Sequence, residues 1–338
     1  MTSNRKHGLT REVGRREALR QGGALLAAGL AAPLAARQHA LTIRDGGVDG
    51  IEIREGSRPV LSYRYETVPV PAFLKSGLTD QQAESLRRYG HPRSNYIHPL
   101  YGLDGVPLTD DWSKDHPHHR GIYWAWPEVG YKGELGDLHA LQRVFARPTG
   151  KRTASPGDDH ATIEAENEWR WDDVTPIVRE TARIRAYPRD AHGRVVDLQF
   201  TFVPLVEGVT LARRQTKLYG GLNTRLAPVA GLKLSHHADA PGASPRMAGQ
   251  SAGGTWKGSS APSSLTIFER ADNLHYPGDY IELPELPWFQ PTFPGAGMRH
   301  ALSSGVPLVL RYRLWIHDAP APADAAYRAQ WQAFQHQR

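Results

Sequence analysis

The chain has 338 residues and no cysteine, which excludes disulfides, thiolate metal sites, iron–sulfur clusters and cysteine nucleophiles. Residues 1–37 hold seven basic and two acidic groups; removing them from totals of 41 and 35 leaves 34 and 33, so the net charge of +6 gives no general grip on nucleic-acid phosphates. Gly (33) and Pro (26) make up about a sixth of the chain against the usual ~12%, favouring turns and short strands over long helices.

At the N-terminus Arg15 and Arg16 precede an apolar run from Ala24 to Ala36. A basic segment followed by a short apolar one reads as a signal peptide over residues 1–40, with the adjacent arginines pointing to twin-arginine export to the periplasm or beyond. The run falls short of the ~20 apolar residues of a membrane span, so no stable membrane insertion is expected.

From residue 41 onward the dominant period is two, as in half-buried strands. Stretches 48–54, 59–68, 141–147, 161–171, 209–218, 229–236 and 264–269 are strand-like. Val196, Leu198, Phe200 and Phe202 define one strand face. In the last strand Leu308, Leu310, Tyr312, Leu314 and Ile316 alternate with a face of Arg311, Arg313, Trp315 and His317. A capping box at Thr79–Gln82 opens a short helix ending near Gly90, and an Ala-rich tail from about 323 to 335 forms a second. Residues 241–263, rich in Gly, Ser, Ala and Pro, read as a long loop. These elements predict an all-β protein: residues 41–338 form a single large antiparallel β-sandwich with a short inserted helix, a C-terminal helix and one polar, aromatic-lined concave face. Such a face suits a sugar, with rings over its C–H patches and polar groups on its hydroxyls.

The segment Asp115-His116-Pro117-His118-His119-Arg120-Gly121, with His98 upstream, is the densest in chemistry. Pro117 pushes His116 out of the helical region. If the chain runs extended, His116, His118 and Arg120 project to one side and His119 to the other. His116 and His118 then act as acid and base, or share one divalent metal such as Zn, Cu, Fe or Ca. Arg120 would hold a substrate oxygen, and Asp115 would orient an imidazole. His98 and His317 are expected at the pocket edge. His119, Trp124 and His236, the last at a strand end, join Asp115 as candidate substrate contacts. His139, His275 and His300 make a weaker case. No P-loop, G-x-G-x-x-G or G-x-S-x-G pattern occurs, so nucleotide cofactors and α/β-hydrolase chemistry are not expected.

His98-Pro99-Leu100-Tyr101, Gly105-Val106-Pro107-Leu108-Thr109, the Asp115–Gly121 string and the C-terminal segment from Gly305 to Asp318 together resemble the bacterial PmoA-like family over roughly residues 45–335. So does Leu265-Thr266-Ile267-Phe268 with Asn273 and Pro277 after it. The resemblance implies a sandwich shaped like the galactose-mutarotase group and a place in sugar degradation; the family name implies an oxygenase. The helix over 76–90 looks like an addition to the family pattern. Three functions follow as expectations. The first is an exported carbohydrate-processing enzyme, a lyase, epimerase or hydrolase using the histidine cluster on a sugar or glycoside. The others are a His-ligated copper or iron oxidase or oxygenase, as the family name suggests, and a non-catalytic sugar-binding module.

Overall fold

Alternation of apolar and polar side chains builds two large sheets in a computed structural model that describes residues 40–157, 159–237, 249–318 and 323–337. The first sheet has eight strands, in spatial order Leu41–Asp45, Ile51–Glu55, Arg58–Arg64, Tyr96–Leu100, Ile122–Ala125, Gly221–Arg225, Trp288–Pro291 and Tyr280–Leu283. The second also has eight: Val229–His237, Gly249–Trp256, Ser263–Glu269, Leu308–His317, Arg194–Pro204, Thr175–Ala186, Ala161–Trp171 and Val144–Ser155. Every pairing within them is antiparallel, and a small four-stranded sheet stands beside them. This is the expected all-β sandwich. The leader expected over residues 1–40 falls, apart from Ala40, outside the described residues.

The inward faces of the two sheets form one apolar cluster, in which Ile53, Leu61, Ile122 and Leu222 meet Ile163, Ile184, Leu198 and Leu314. Register carries the pattern across strands: Ala182 lies opposite Phe200, and Phe200 opposite Leu310. Each large side chain buried this way contributes about 1.5–3 kcal/mol. Trp124 belongs to this core. Its ring stacks on Trp126 at 4.4 Å and meets Phe200 and Phe202 edge-on at 5.3 and 5.2 Å, so it is a sandwich filler and not the substrate wall expected.

Two helices are described. The first, α1, Asp80–Tyr89, carries the expected capping box: Gln82 N donates to Thr79 Oγ1 at 3.2 Å and Thr79 N to Gln82 Oε1 at 3.0 Å. The second, α2, Asp324–His336, lays Tyr327 and Phe334 on Phe268 and Trp315. It therefore packs on the Arg/Trp/His face of the last strand at Trp315. The stretch 241–263 is also not one loop, although 241–248 lies outside the described residues. Gly249–Trp256 is a buried strand whose small residues are a packing requirement: a Cβ at Gly249 would stand 2.5 Å from Tyr327 Oη, and one at Gly254 2.6 Å from Val229.

A polar chain bridges the two sheets inside the core. Glu180 Oε2 accepts from Asn95 Nδ2 at 2.8 Å and Trp169 Nε1 at 2.7 Å, while Asn95 Oδ1 accepts from Tyr63 Oη and Asn167 Nδ2 donates to that same phenol at 3.2 Å. Burial pushes the Glu180 carboxyl up to about 7, from 4.5, and does the same to Glu269. Each folded-state carboxyl thus keeps its proton where the unfolded one loses it. The stabilising contribution of these two groups is complete below pH 4.5 and declines as pH rises through about 7, by on the order of 3 kcal/mol per group. Glu180→Gln keeps an acceptor for both donors and should remove about half of that decline. Urea unfolding midpoints between about pH 4 and 8 check it, and an unaltered slope would contradict a protonated Glu180.

Candidate functional site: a cleft with four histidines

Pro117 decides the local path of the histidine segment. His119 N donates to His116 O at 2.9 Å, closing a turn with Pro117 at its second position, where a fixed φ near −65° is favourable. The extended path expected for 116–120 is therefore replaced by a turn, and His116, His118 and His119 gather instead of alternating. Their ring centroids lie 5.9 Å (116–118), 4.8 Å (116–119) and 4.6 Å (118–119) apart. Gly121 then brings the chain so close to the neighbouring strand that a Cβ there would sit 2.1 Å from Ile97 O, at a φ of 54°.

A fourth ring arrives from a second loop. Asp137 and Gln142 exchange backbone hydrogen bonds at 2.7 and 2.8 Å, and Asp137 Oδ1 accepts from Ala140 N at 2.8 Å. This tight loop holds His139 with its ring 4.6 Å from His118 and 5.3 Å from His119. One nitrogen each of His118, His119 and His139 fall within 4.8 Å of one another. His139 Nδ1 is 3.0 Å from Tyr123 Oη.

Arg93 ties the two loops together. Its guanidinium donates to Leu138 O at 2.6 Å, His139 O at 3.0 Å and His118 O at 3.4 Å, and lies 4.2 Å from the Tyr123 ring centre. Burial lowers its pKa to about 10, so it stays charged at neutral pH.

The cluster stands on the outer face of the first sheet. Trp124 points into the sandwich, so by alternation Tyr123 points out; Asn223 opposite Tyr123, and Arg225 and Trp288 opposite each other, share that face. His119 stacks on Trp288 at 6.0 Å. A cavity of about 250 Å³ is lined by all four histidines with Tyr89, Arg214, Tyr219 and Trp288. A second, of about 470 Å³, runs between α1 and Asp115, His116 and His118. Helix α1 reaches this site through Ser85 Oγ, which donates to Asp115 O at 3.3 Å, and through Tyr89, 4.8 Å from His118.

The environment keeps the inner imidazoles neutral. Burial, reinforced by neighbouring His116 and Arg93, pushes His118 down to about 3, and burial likewise holds His119 and His139 well below 6.5. Neutral imidazoles are metal ligands or hydrogen-bond partners, not resident cations. His116 is more exposed and pairs through Nδ1 with Asp115 Oδ2 at 3.0 Å. That bond, followed by Arg225 at 3.3 Å, holds the Asp115 carboxyl well below the usual carboxylate range.

Other expected site residues are placed elsewhere. Arg120 turns away from the histidines: it pairs with Asp111, donates to Tyr96 Oη and lies 3.4 Å from the Trp112 ring centre, fully buried. It ties the loop to Asp111 and Tyr96 and does not line the histidine cavity, where it was expected to hold a substrate oxygen. His98 is half-buried with Nδ1 3.2 Å from Thr109 Oγ1, and desolvation lowers its pKa to about 4; it does not line the histidine cavity. His317 lies on the second sheet, 4.3 Å from the Trp315 ring that α2 covers. The side chain of His236 lies outside those described, although its backbone closes a strand. His139, Arg93, Tyr123 and Trp288 belong to the site without having carried a motif. The Asp137-to-Ala140 turn spacing was the one local signal for His139.

A family model of unknown function, DUF6807, matches residues 50–332. The chain belongs to that family. For this DUF6807 member no curated protein gives a match. Among solved structures, a polysaccharide lyase aligns at 10% identity and a TM-score of 0.34, covering 90% of this chain and 35% of its own. The DUF6807 chain thus spans about a third of that lyase's length. Among the described residues no helix is long and apolar enough to cross a membrane.

Arg93→Met should leave three buried carbonyls without their donor and lower unfolding stability by about 3 kcal/mol or more. Denaturant midpoints measure this. A loss below about 1 kcal/mol would mean that the guanidinium does not hold the loops.

Proposed function

We propose that this protein is an exported carbohydrate-processing enzyme that transfers protons at a bound sugar through His116. The observation that carries the reading is the Asp115–His116 pair, 3.0 Å apart, where the two cavities meet. With Nδ1 engaged by the carboxylate, Nε2 is the nitrogen left to exchange a proton with a ligand, in the geometry general acid–base catalysis requires. Tyr89, Tyr219 and Trp288 offer aromatic walls for the C–H faces of a sugar, and Arg214 offers donors to its oxygens. Lyase, epimerase and hydrolase reactions all include such a proton transfer. On a panel of glycosides, uronates and keto-sugars the wild type should turn over at least one class, and His116→Ala should lower kcat by about 10²–10⁴. Full turnover by His116→Ala would remove the assignment, and binding without any turnover would select a sugar-binding module.

The grouping of His118, His119 and His139 favours a second reading, a copper or iron oxidase in keeping with the resemblance to the PmoA-like family. Sugar-dependent oxygen consumption by the purified protein would select it.

Export rests on Arg15-Arg16 and the apolar run behind them. Replacing both arginines by lysine should leave the protein in the cytoplasmic fraction, while the unaltered chain fractionates with the periplasm or medium. An unchanged distribution would refute the twin-arginine route.

A further inference from the structure

We propose that His118, His119 and His139 are a three-imidazole centre for one zinc-type transition-metal ion, with a fourth position open to the cleft and His116 outside the ligand set. The proposal adds to the acid–base reading of the cleft, and it is tested by metal binding alone, so its failure leaves that reading standing.

Four observations converge on the three rings. Their candidate ligand atoms already lie within 4.8 Å of one another. A tetrahedral ion bonded at 2.0–2.1 Å needs its nitrogens about 3.3 Å apart, so the rings would draw together as an ion binds. Two of the rings carry unsatisfied nitrogens: His118 Nδ1 and His119 Nδ1 are buried without a hydrogen-bond partner. Such a group is costly unless something occupies it, and a metal ion would. The third ring is oriented from behind, since Tyr123 Oη sits 3.0 Å from His139 Nδ1 and leaves Nε2 as the donor atom. A hydrogen bond to the non-ligating nitrogen is the usual outer support of a metal-bound histidine. Finally, both loops are pre-set by Arg93 through the carbonyls of His118, Leu138 and His139, so little ordering remains to be done when an ion arrives.

The ligand chemistry selects the metal. Three neutral nitrogens with no oxygen donor suit borderline ions of the zinc type and do not suit Ca²⁺, which takes six to eight oxygens. The nearby carboxylates are already engaged: Asp137 with Arg214 at 2.7 Å and with Ala140 N, and Asp115 with His116 and Arg225. Those pairings also keep Arg214 and Arg225 from presenting bare charge to a dication, as the carbonyls do for Arg93. Three histidines and an open position are the arrangement of catalytic rather than closed structural zinc sites. The 250 Å³ cavity at these rings is where a water or a ligand oxygen would complete the sphere.

His116 supplies the control. It touches the same cluster, 4.8 Å from His119, yet its Nδ1 is committed to Asp115. The full chain, purified without a His-tag or chelator, is assayed for metal, then stripped and titrated with Zn²⁺, Co²⁺ and Ca²⁺, with melting temperature and the visible Co²⁺ spectrum as readouts. One Zn²⁺ per chain, a tetrahedral Co²⁺ band and no response to Ca²⁺ are expected. His119→Ala and His139→Ala should each weaken Zn²⁺ binding at least 100-fold, and His116→Ala should bind as the wild type does. Tyr123→Phe keeps every ligand and should weaken binding roughly 10- to 100-fold; it guards against a histidine variant that fails to fold. Absence of Zn²⁺ binding by the folded wild type overturns the proposal. So does a loss in His116→Ala equal to that in His139→Ala, or one stoichiometric Ca²⁺ in place of zinc.

Discussion

The guanidinium of Arg93 donates to carbonyls on two loops that are well separated in sequence, and the geometry of the histidine cleft follows from that link. A buried cation is costly unless its donors are filled, so the fold must bring three carbonyls to it or lose stability. Meeting that demand places the turn at Pro117 against the loop at His139. The rings those loops carry then have little choice of position. Tyr123 adds to the arrangement twice, lying under the Arg93 charge and presenting its hydroxyl to His139.

Much of the scaffold was legible in the sequence because its rules are local. Val196, Leu198, Phe200 and Phe202 alternate as a strand half-buried in a sandwich must, and Thr79 with Gln82 announces α1 within four residues. The site was legible only in part. The density of His116, His118 and His119 drew attention to a segment that lines the cleft, but alternation was the wrong rule for its path. A proline that keeps His116 out of the helical region is equally at home in a turn, and the turn adds His119 to the pair expected from alternation. His139 could not be joined to them by any local rule, since only tertiary pairing brings its loop across.

The same distinction explains Trp124, Arg120 and the strand at Gly249–Trp256. An aromatic ring at alternating spacing looks the same in sequence whether it faces a sugar or a second sheet, and the inter-sheet rings around Trp124 decide the matter. Arg120 sits in the richest motif yet serves Asp111 and Tyr96. Small residues suggested a loop where close approach of α2 and a neighbouring strand required them.

Helix α1 walls one side of the cleft while burying none of its side chains fully. Secondary structure that hides little apolar surface opens at low free energy, whereas the sheets opposite open only with the whole fold. The cleft is therefore asymmetric in stiffness, with a rigid floor of rings and sheet under a wall that yields. Side chains on the floor can keep their geometry fixed while the width of the opening adapts to ligands of different bulk. Homologues that lengthen, shorten or drop this one helix could change what enters without touching the rings beneath.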